Sequence, residues 1–400
     1  MVILKTKSPW IKDIKIKAVD LVNREFIGNT PPTVFVGSKY IQNKKANVGI
    51  LSPLDNKEEA WKYDNPYYWY ENNYSIKRIV ELRANLINAR KKKLSIFDVR
   101  NSNKFLELTQ EISMSNKTTT IEIELKEKLK AKLNLDKIHL PFGPSGEINK
   151  IIPEGNIKLE PKIEKVYYDT DLKAIDAIKF LHSKGFYEYQ LSQLLSIGIM
   201  GLKHNRKLVP TRWSITATDD LIGKDYIKEI KDYNVLENYK MYFGYYFGNY
   251  YVILMFPETW SYELFESAMP DKLSNDNIYT VTDYEDYYGR KKYAENTVGG
   301  YYAARLSLLE ELRKLKKQAS CLLLRYVTSE YSIPLGVFVV RQAVRKALGS
   351  NSYRFENKKE MIDFARNLIF RKFGYNIDNQ LKESKLLNNI NKQMKLGNFL

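Results

Sequence analysis

The sequence predicts an α+β protein: mixed domains with an aromatic-rich β-hairpin, several amphipathic helices and a flexible C-terminal tail. Three observations carry that expectation. At 400 residues the chain exceeds the 250–300 at which a single hydrophobic core stops growing. It is 44% hydrophobic and 28% charged, a balance that supports ordered cores. Short β-branched and aromatic runs bounded by Gly or Pro are interspersed with stretches of helical period, and no fixed-period repeat is visible.

Taken in order, residues 33–51 (TVFVGSKYIQNKKANVGIL) place two β-rich runs around a polar turn and predict a hairpin. An aromatic cluster, Trp61 to Tyr70, precedes SIKRIVELRANLINARKK. There Ile76, Ile79, Val80, Leu82, Leu86 and Ile87 fall near a 3.6-residue period and predict an amphipathic helix with a basic end. TTTIEIEL lies in a lysine-rich stretch, and the Pro- and Gly-crowded residues 141–155 predict an ordered loop or a domain joint. DLKAIDAIKFLHSKGFYEYQLSQLLSIGIMG predicts two helices punctuated by Gly185, and VPTRWSITATDD is a β-branched segment.

The run YKMYFGYYFGNYYVILMFP predicts two strands joined at Gly248-Asn249, a pair that tolerates the positive φ of a tight turn. A core hairpin is the plain reading; an exposed tyrosine face able to stack on bases is the alternative. From Asn296 to Val327, a glycine pair introduces a long helix with Leu306, Leu309, Leu312 and Leu315 along one side and a basic end. PLGVFVVRQAVRKALG and ENKKEMIDFARNLIFRKFG add two more helical blocks. The expected division is an N-terminal α+β domain (1–150), a C-terminal α+β domain (151–375) and an extended tail (376–400).

Charge and composition narrow the function. The chain carries 64 Lys and Arg against 47 Asp and Glu, a net +17 that attracts polyanions. The last 60 residues hold 13 cations and 5 acids, nearly half of that surplus. One cysteine, Cys321, excludes an internal disulfide and cysteine-rich zinc sites, and the three histidines, His139, His182 and His204, are too dispersed for a His-rich metal centre. No apolar run approaches the roughly 18–20 residues of a membrane helix, and MVILKTKSPW lacks the features of a secretory signal. The expectation is a cytoplasmic, nucleoid-associated protein without a membrane partner.

The last eight residues, QMKLGNFL, match the sliding-clamp-binding pattern: Gln393, then Leu396 at +3, Phe399 at +6 and Leu400 at +7. In one tight turn, those three apolar positions form a plug on one side while the glutamine reaches a separate polar pocket. Exposed Leu, Phe and Leu at a chain end are unfavourable unless covered, by a partner or by the chain's own domain. Leu400 stands where an aromatic residue is commoner.

At NRKLVPTRWSITATDD (205–220) the sequence resembles the archaeal Nre family of DNA repair proteins. Further segments carry the resemblance: PPTVFVGSKY (31–40), PFGPSGEI (141–148), FGNYYVILMFPETWSYELFE (247–266), NTVGGYYAARLSLLEEL (296–312), PLGVFVVRQAVRKAL (334–348) and the tail. It covers most of the chain. It implies a role in repairing damaged archaeal DNA, linked to nucleotide-excision repair and dependent on the sliding clamp PCNA. Many members carry an N-terminal zinc finger; this sequence, with Cys321 alone, supplies none, so a DNA contact attributed to that finger does not carry over.

Within the matched segments, His204, Arg206, Lys207 and Arg212 beside Trp213 combine cations with a stacking surface, as phosphate and unpaired-base recognition requires. The competing reading pairs Arg212 with Asp219 or Asp220 and buries Trp213. Gly299 and Gly300 before a helix can bring backbone N–H groups to a phosphate, although plain helix entry accounts for them equally, and Arg305 is a further candidate that could line one groove with Arg206, Lys207 and Arg212. Asp219, Asp220, Asp283, Glu285 and Asp286 are candidate ligands for Mg²⁺ in a metal-dependent nuclease, although no recognised spacing fixes them. The expectation is a DNA-repair protein that binds DNA and docks its tail on PCNA, without a cofactor. The alternatives are a Mg²⁺-dependent nuclease acting on damaged or branched DNA, and a non-catalytic adaptor that partners nucleotide-excision repair proteins.

Overall fold

A computed structural model of the chain describes residues 2–4, 14–16, 24–55, 57–101, 103–269 and 278–392. The fold is α+β, as the sequence predicts, with two mixed six-stranded sheets and their helices. Contacts group the chain into two compact units, Met1–Ile222 with Ile333–Gly336, and Gly223–Ser332 with Val337–Leu400. This grouping differs from a division at residue 150, which lies inside a strand.

In the first unit, β1 (Val2–Leu4) and β2 (Ile14–Ile16) make a separate antiparallel pair. The main sheet comprises β3 (Glu25–Thr30), β4 (Val34–Gly37), β5 (Lys45–Ser52), β6 (Ile87–Ser95), β7 (Thr119–Leu125) and β8 (Ser145–Pro153). Their order is β3-β7-β8-β6-β5-β4, antiparallel except for β6 with β8. The predicted hairpin is β4–β5, in the register Val34↔Ile50. In β7 the period-2 pattern points Ile121, Ile123 and Leu125 into the core, whereas Thr120, Glu122 and Glu124 face outward and are half-buried.

Helices α1 (Pro66–Glu71), α2 (Ile76–Ala84), α3 (Lys104–Met114), α4 (Pro161–Tyr168), α5 (Ala174–Ser183) and α6 (Glu188–Ser196) complete the unit, and α7 (Thr211–Ile230) begins in it. Ser75 starts α2 by accepting from Arg78 N at 3.2 Å, and Asn103 starts α3 by accepting from Leu106 N at 3.2 Å. Gly185, with φ of +89°, separates α5 from α6. Three expectations are corrected here. The helix expected to run through Leu86 and Ile87 stops at Ala84 and the chain continues as β6. Residues 145–153 of the expected loop are β8, and VPTRWSITATDD, although β-branched, opens α7.

A buried polar hub holds this unit. The Asp64 carboxylate accepts from Arg83 Nη1, Thr33 Oγ1, Tyr189 OH (2.6 Å) and Gln193 Nε2 (3.4 Å). Arg83 Nε donates to Pro141 O at 2.7 Å, and Gln193 Oε1 accepts from Val34 N at 2.9 Å. Segments distant in sequence, around 33, 64, 83, 141 and 190, are thereby fixed by one anion. Burial pushes the Tyr189 hydroxyl well above its ordinary pKa, so it stays a donor to that carboxylate.

The second unit's sheet comprises β9 (Tyr239–Tyr246), β10 (Asn249–Phe256), β11 (Ser261–Ala268), β12 (Thr280–Glu285), β13 (Ser320–Val327) and β14 (Tyr353–Phe355), in the order β12-β11-β13-β10-β9-β14. All pairs are antiparallel except β11 with β13. Its helices are α8 (Val298–Leu315), α9 (Val337–Leu348), α10 (Lys358–Phe373), α11 (Asp378–Glu383) and α12 (Lys385–Lys392).

The aromatic run forms the β9–β10 hairpin, with Phe247 and Gly248 both at positive φ (48° and 68°) in the turn. Every residue of β10 is buried, which makes this a core hairpin; Tyr245 is its half-exposed ring. Tyr250, Val252, Leu254 and Phe256 pack with Met361, Ala365, Ile369, Leu386 and Leu387 of α10 and α12, while α9 crosses β9 and β10. At that crossing Gly244 is obligatory: a Cβ there would stand 2.5 Å from Ala347 Cα. Residues 320–327, expected as part of the helix after Gly300, are β13 instead. The tail expected from 376 is helical in α11 and α12, where Leu386 and Leu387 are buried.

Candidate nucleic-acid interface

The segment 203–213 in the first unit is built by an alternation of anchored and outward residues. Leu208 N donates to Ile96 O (2.8 Å), Val209 N to Ser196 O (2.9 Å), and Thr211 Oγ1 accepts from Val36 N (2.8 Å). Between these anchors Lys203, His204 and Lys207 are exposed, Arg212 is half-buried and Trp213 is 50% exposed. None of the three cations Lys203, Lys207 and Arg212 is held in an ion pair among the described residues. Arg212 does not pair with Asp219 or Asp220, which are buried further along α7 and have interactions of their own. Arg212 lies close enough to His139 to disfavour its charge. Burial is the larger cause that holds that imidazole below its ordinary pKa, against the pull of Asp136 at 3.8 Å.

Arg206, expected at this surface, points inward. It is 7% exposed; Nε donates to Gly201 O (2.7 Å), Nη1 to Tyr167 O (2.7 Å), and Nη2 to Asp169 O (2.9 Å) and Val166 O (3.4 Å). Those four carbonyls include the C-terminal end of α4, where a cation also complements the helix dipole. Arg206 therefore organises the loop and is not part of the exposed cationic surface. Beside it opens a cleft of about 340 Å³ whose walls include Arg100, Gln110, Tyr167, Tyr168, Lys203 and Arg206. Arg100 Nε donates to Arg206 O at 2.7 Å, and the Tyr168 ring is 69% exposed. Sequence reasoning passed over Arg100, Tyr168 and Lys203; Tyr167-Tyr168 is an aromatic pair at the end of a basic helix, which is the signal that could have found them.

In the second unit the remaining candidates serve the fold. Asp283 Oδ2 accepts from Asn296 N (3.0 Å), Thr297 N (2.7 Å) and Thr297 Oγ1 (2.9 Å), and Oδ1 pairs with Arg290 at 3.1 Å. The anion at the N-terminus of α8 is thus the chain's own carboxylate. Glu285 pairs with Arg305 at 2.6 Å, both side chains almost fully buried, so Arg305 is an interior cation. Gly299 and Gly300 are buried in α8; a Cβ on Gly300 would lie 2.5 Å from Glu266 Oε1, so that glycine admits the half-buried Glu266–Arg325 pair. Asp286 is exposed and accepts from Tyr288 N at 2.9 Å in a turn. Arg206 and Arg305 are buried, each in its own unit, and neither belongs to an exposed cationic surface. Among the described residues no three His, Cys, Asp or Glu side chains come together to hold a metal ion, and the five candidate carboxylates do not fit a Mg²⁺ site.

Gln393, Leu396, Phe399 and Leu400 lie outside the described residues. The helix before them is firmly seated. Glu263 of β11, itself buried, accepts from Ser384 Oγ (2.5 Å), Lys385 N (3.1 Å) and Leu386 N (3.0 Å) at the start of α12. Cys321 is buried, and burial raises its thiol far above the ordinary range, so it is inert. No described helix is long and apolar enough to cross a membrane.

Comparison with known proteins places these features in a family. The family description "Archaeal Nre, N-terminal" matches residues 8–275, and "Archaeal Nre, C-terminal" matches residues 285–399. The chain is 34% identical over 346 residues to the DNA repair protein NreB of Archaeoglobus fulgidus, covering 86% of this chain and 85% of that one. It is 34% identical over 370 residues to the DNA repair protein NreA of the same organism (92% and 90% covered), and 31% identical over 327 residues to NreA of Haloferax volcanii (80% and 77% covered). No solved structure matches. With both halves matched and relatives above 30% identity along most of its length, the chain belongs to the archaeal Nre family.

Proposed function

We propose that this chain is a DNA-repair protein that binds DNA and is recruited to repair sites by docking residues 393–400 on the PCNA sliding clamp. The relatives' names supply the repair context. The observation that carries DNA binding is the 203–213 segment, where Lys203, Lys207 and Arg212 make no ion pair among the described residues and lie beside the half-exposed Trp213, in a chain of net charge +17. Cations of this kind bind phosphates without reading sequence, so the affinity is modest and falls steeply with salt. The clamp interaction rests on the spacing of Gln393, Leu396, Phe399 and Leu400. Tethering then raises the local concentration at repair sites, so tight intrinsic DNA binding is not required.

The carboxylates favour a binding protein or adaptor over a nuclease, since Asp283 and Glu285 are committed to α8 and Arg305. The test uses the full chain with labelled duplex and single-stranded DNA over a salt series, and with PCNA. Combined Lys203→Ala, Lys207→Ala and Arg212→Ala substitutions are expected to weaken DNA binding and flatten its salt dependence, and Phe399→Ala to abolish clamp binding. Salt-independent DNA binding, or clamp binding indifferent to Phe399→Ala, defeats the corresponding half of the reading.

A further inference from the structure

The connection from β12 to α8 reads Asp286-Tyr287-Tyr288-Gly289-Arg290-Lys291-Lys292-Tyr293, and its three aromatic rings face water. Tyr287, Tyr288 and Tyr293 are 37%, 90% and 58% exposed. Exposing one ring is unremarkable; three within seven residues, interleaved with cations, amount to a surface with a preferred ligand. Two features hold that surface in shape.

The Arg290 guanidinium donates to Tyr284 O (2.9 Å), Lys292 O (3.2 Å) and Tyr293 O (3.2 Å) and pairs with Asp283, so the connection is closed around its own cation. The Asp286–Gly289 turn is fixed by Gly289 N to Asp286 O (3.0 Å) and Tyr288 N to Asp286 Oδ1 (2.9 Å), with Gly289 at φ +83°. Lys231 Nζ sits 4.2 Å from the centre of the Tyr287 ring, and Tyr288 meets Tyr287 edge-on at 5.6 Å. Lys291 and Lys292 are exposed and make no ion pair among the described residues. The outcome is a pre-ordered turn with one ring almost wholly free and two uncommitted ammonium groups beside it.

We propose that this turn is a stacking site for unpaired bases of single-stranded DNA, with Tyr288 as the platform and Lys291 and Lys292 on the flanking phosphates. The proposal rests on the DNA-binding reading above and names its substrate class. A base in a duplex has both faces covered by its neighbours, whereas an unpaired base offers a π-face to any aromatic ring, and the ammonium groups follow the backbone that carries it. A rigid turn binds with little ordering cost, which suits a site whose contacts are few.

The test is fluorescence anisotropy of the full chain on a labelled oligo-dT strand and on a labelled duplex, each over a salt series. Tyr288→Ala is expected to weaken single-strand binding by about tenfold and to leave duplex binding unchanged, with Tyr288→Phe restoring wild-type affinity. Combined Lys291→Ala and Lys292→Ala substitutions are expected to weaken single-strand binding and flatten its salt dependence. Thermal unfolding checks that the exposed substitutions leave the fold intact. Single-strand affinity indifferent to Tyr288→Ala, with duplex binding intact, overturns the stacking site and leaves the broader reading standing. Wild-type protein that binds neither DNA overturns both. An equal loss on duplex and single strand also overturns the proposal, because stacking on unpaired bases would then not be the contact removed.

Discussion

Arg206 and Lys207 are adjacent cations with opposite assignments, and substituting each separates the fold from the interface. The Arg206 guanidinium serves four carbonyls, those of Gly201, Tyr167, Asp169 and Val166, from a site 7% exposed. Arg206→Ala leaves those acceptors without their donor. A buried acceptor left unsatisfied costs about 1–3 kcal/mol, and charged donors stand at the upper end. Water from the neighbouring cleft re-satisfies some of them, so the whole loss is about 3–4 kcal/mol. For a unit of this size that corresponds to a fall in Tm of about 10 °C.

Arg206→Lys keeps the charge but reaches fewer of the carbonyls, and is expected to recover about half of the loss. Lys207→Ala, on the exposed neighbour, is expected to leave Tm within about 1 °C, to weaken DNA binding a few-fold, and to lower the salt slope by about one. Differential scanning calorimetry and fluorescence anisotropy on the same preparations measure both quantities. An Arg206→Ala protein with wild-type Tm and impaired DNA binding would refute the assignment, because the guanidinium would then face the ligand and not the loop.

Three further outcomes follow from the second unit. Gly244→Ala has to displace the backbone of α9 at Ala347 and is expected to cost about 3 kcal/mol in urea unfolding; a neutral result would mean that the strand and helix separate easily. Asp283→Ala strips the start of α8 of its acceptor and Arg290 of its partner, and is expected to lower stability by about 2 kcal/mol. If Asp283 instead held a catalytic metal, metal-dependent DNA cleavage would be present in the wild type and vanish in this variant with stability unchanged. Burial first, and then the negative charge of Glu330 and the hydrogen bond donated to it, push the Tyr250 hydroxyl up to about 12. The folded state therefore keeps a proton that the unfolded state loses near 10. That contribution is complete below pH 10 and is lost as pH rises toward 12. Unfolding free energies measured between pH 9 and 11 should decline less steeply in Tyr250→Phe; identical slopes would remove Tyr250 from the alkaline response.

Much of this was legible in the sequence. Period and turn chemistry gave the β4–β5 and β9–β10 hairpins and the helices α5, α6, α8, α9 and α10, because in those segments local preference and tertiary burial agree. They disagree in α7, where Ile215, Thr216 and Thr218 favour a strand but Thr211 anchors a helix start on Val36 N. Leu86 and Ile87 continue a helical period across a boundary that pairing of β6 with β5 and β8 decides. The site was harder to read for a related reason. A cation in a sequence is surface charge or interior fastener according to which carbonyls and carboxylates the fold brings to it. For Arg206 and Arg305 those partners come from segments tens of residues away in one case and a neighbouring strand in the other. Lys207 and Trp213 remained outside because nothing distant reached them.

The seating of α12 on Glu263 sets a distance. Lys392 is the last described residue of that helix, and the clamp-type motif starts at the next position. Four residues, fully extended, span at most about 14 Å, so a clamp holding Leu396 would stand within that reach of the end of α12. On the proposed clamp docking, the ring would be held near the second unit, within the reach of those few residues. Lengthening the connection by a few Gly-Ser pairs after Lys392 would leave clamp affinity intact while widening that reach. Glu263 then decides where that tether begins, because it seats the helix from which the motif departs.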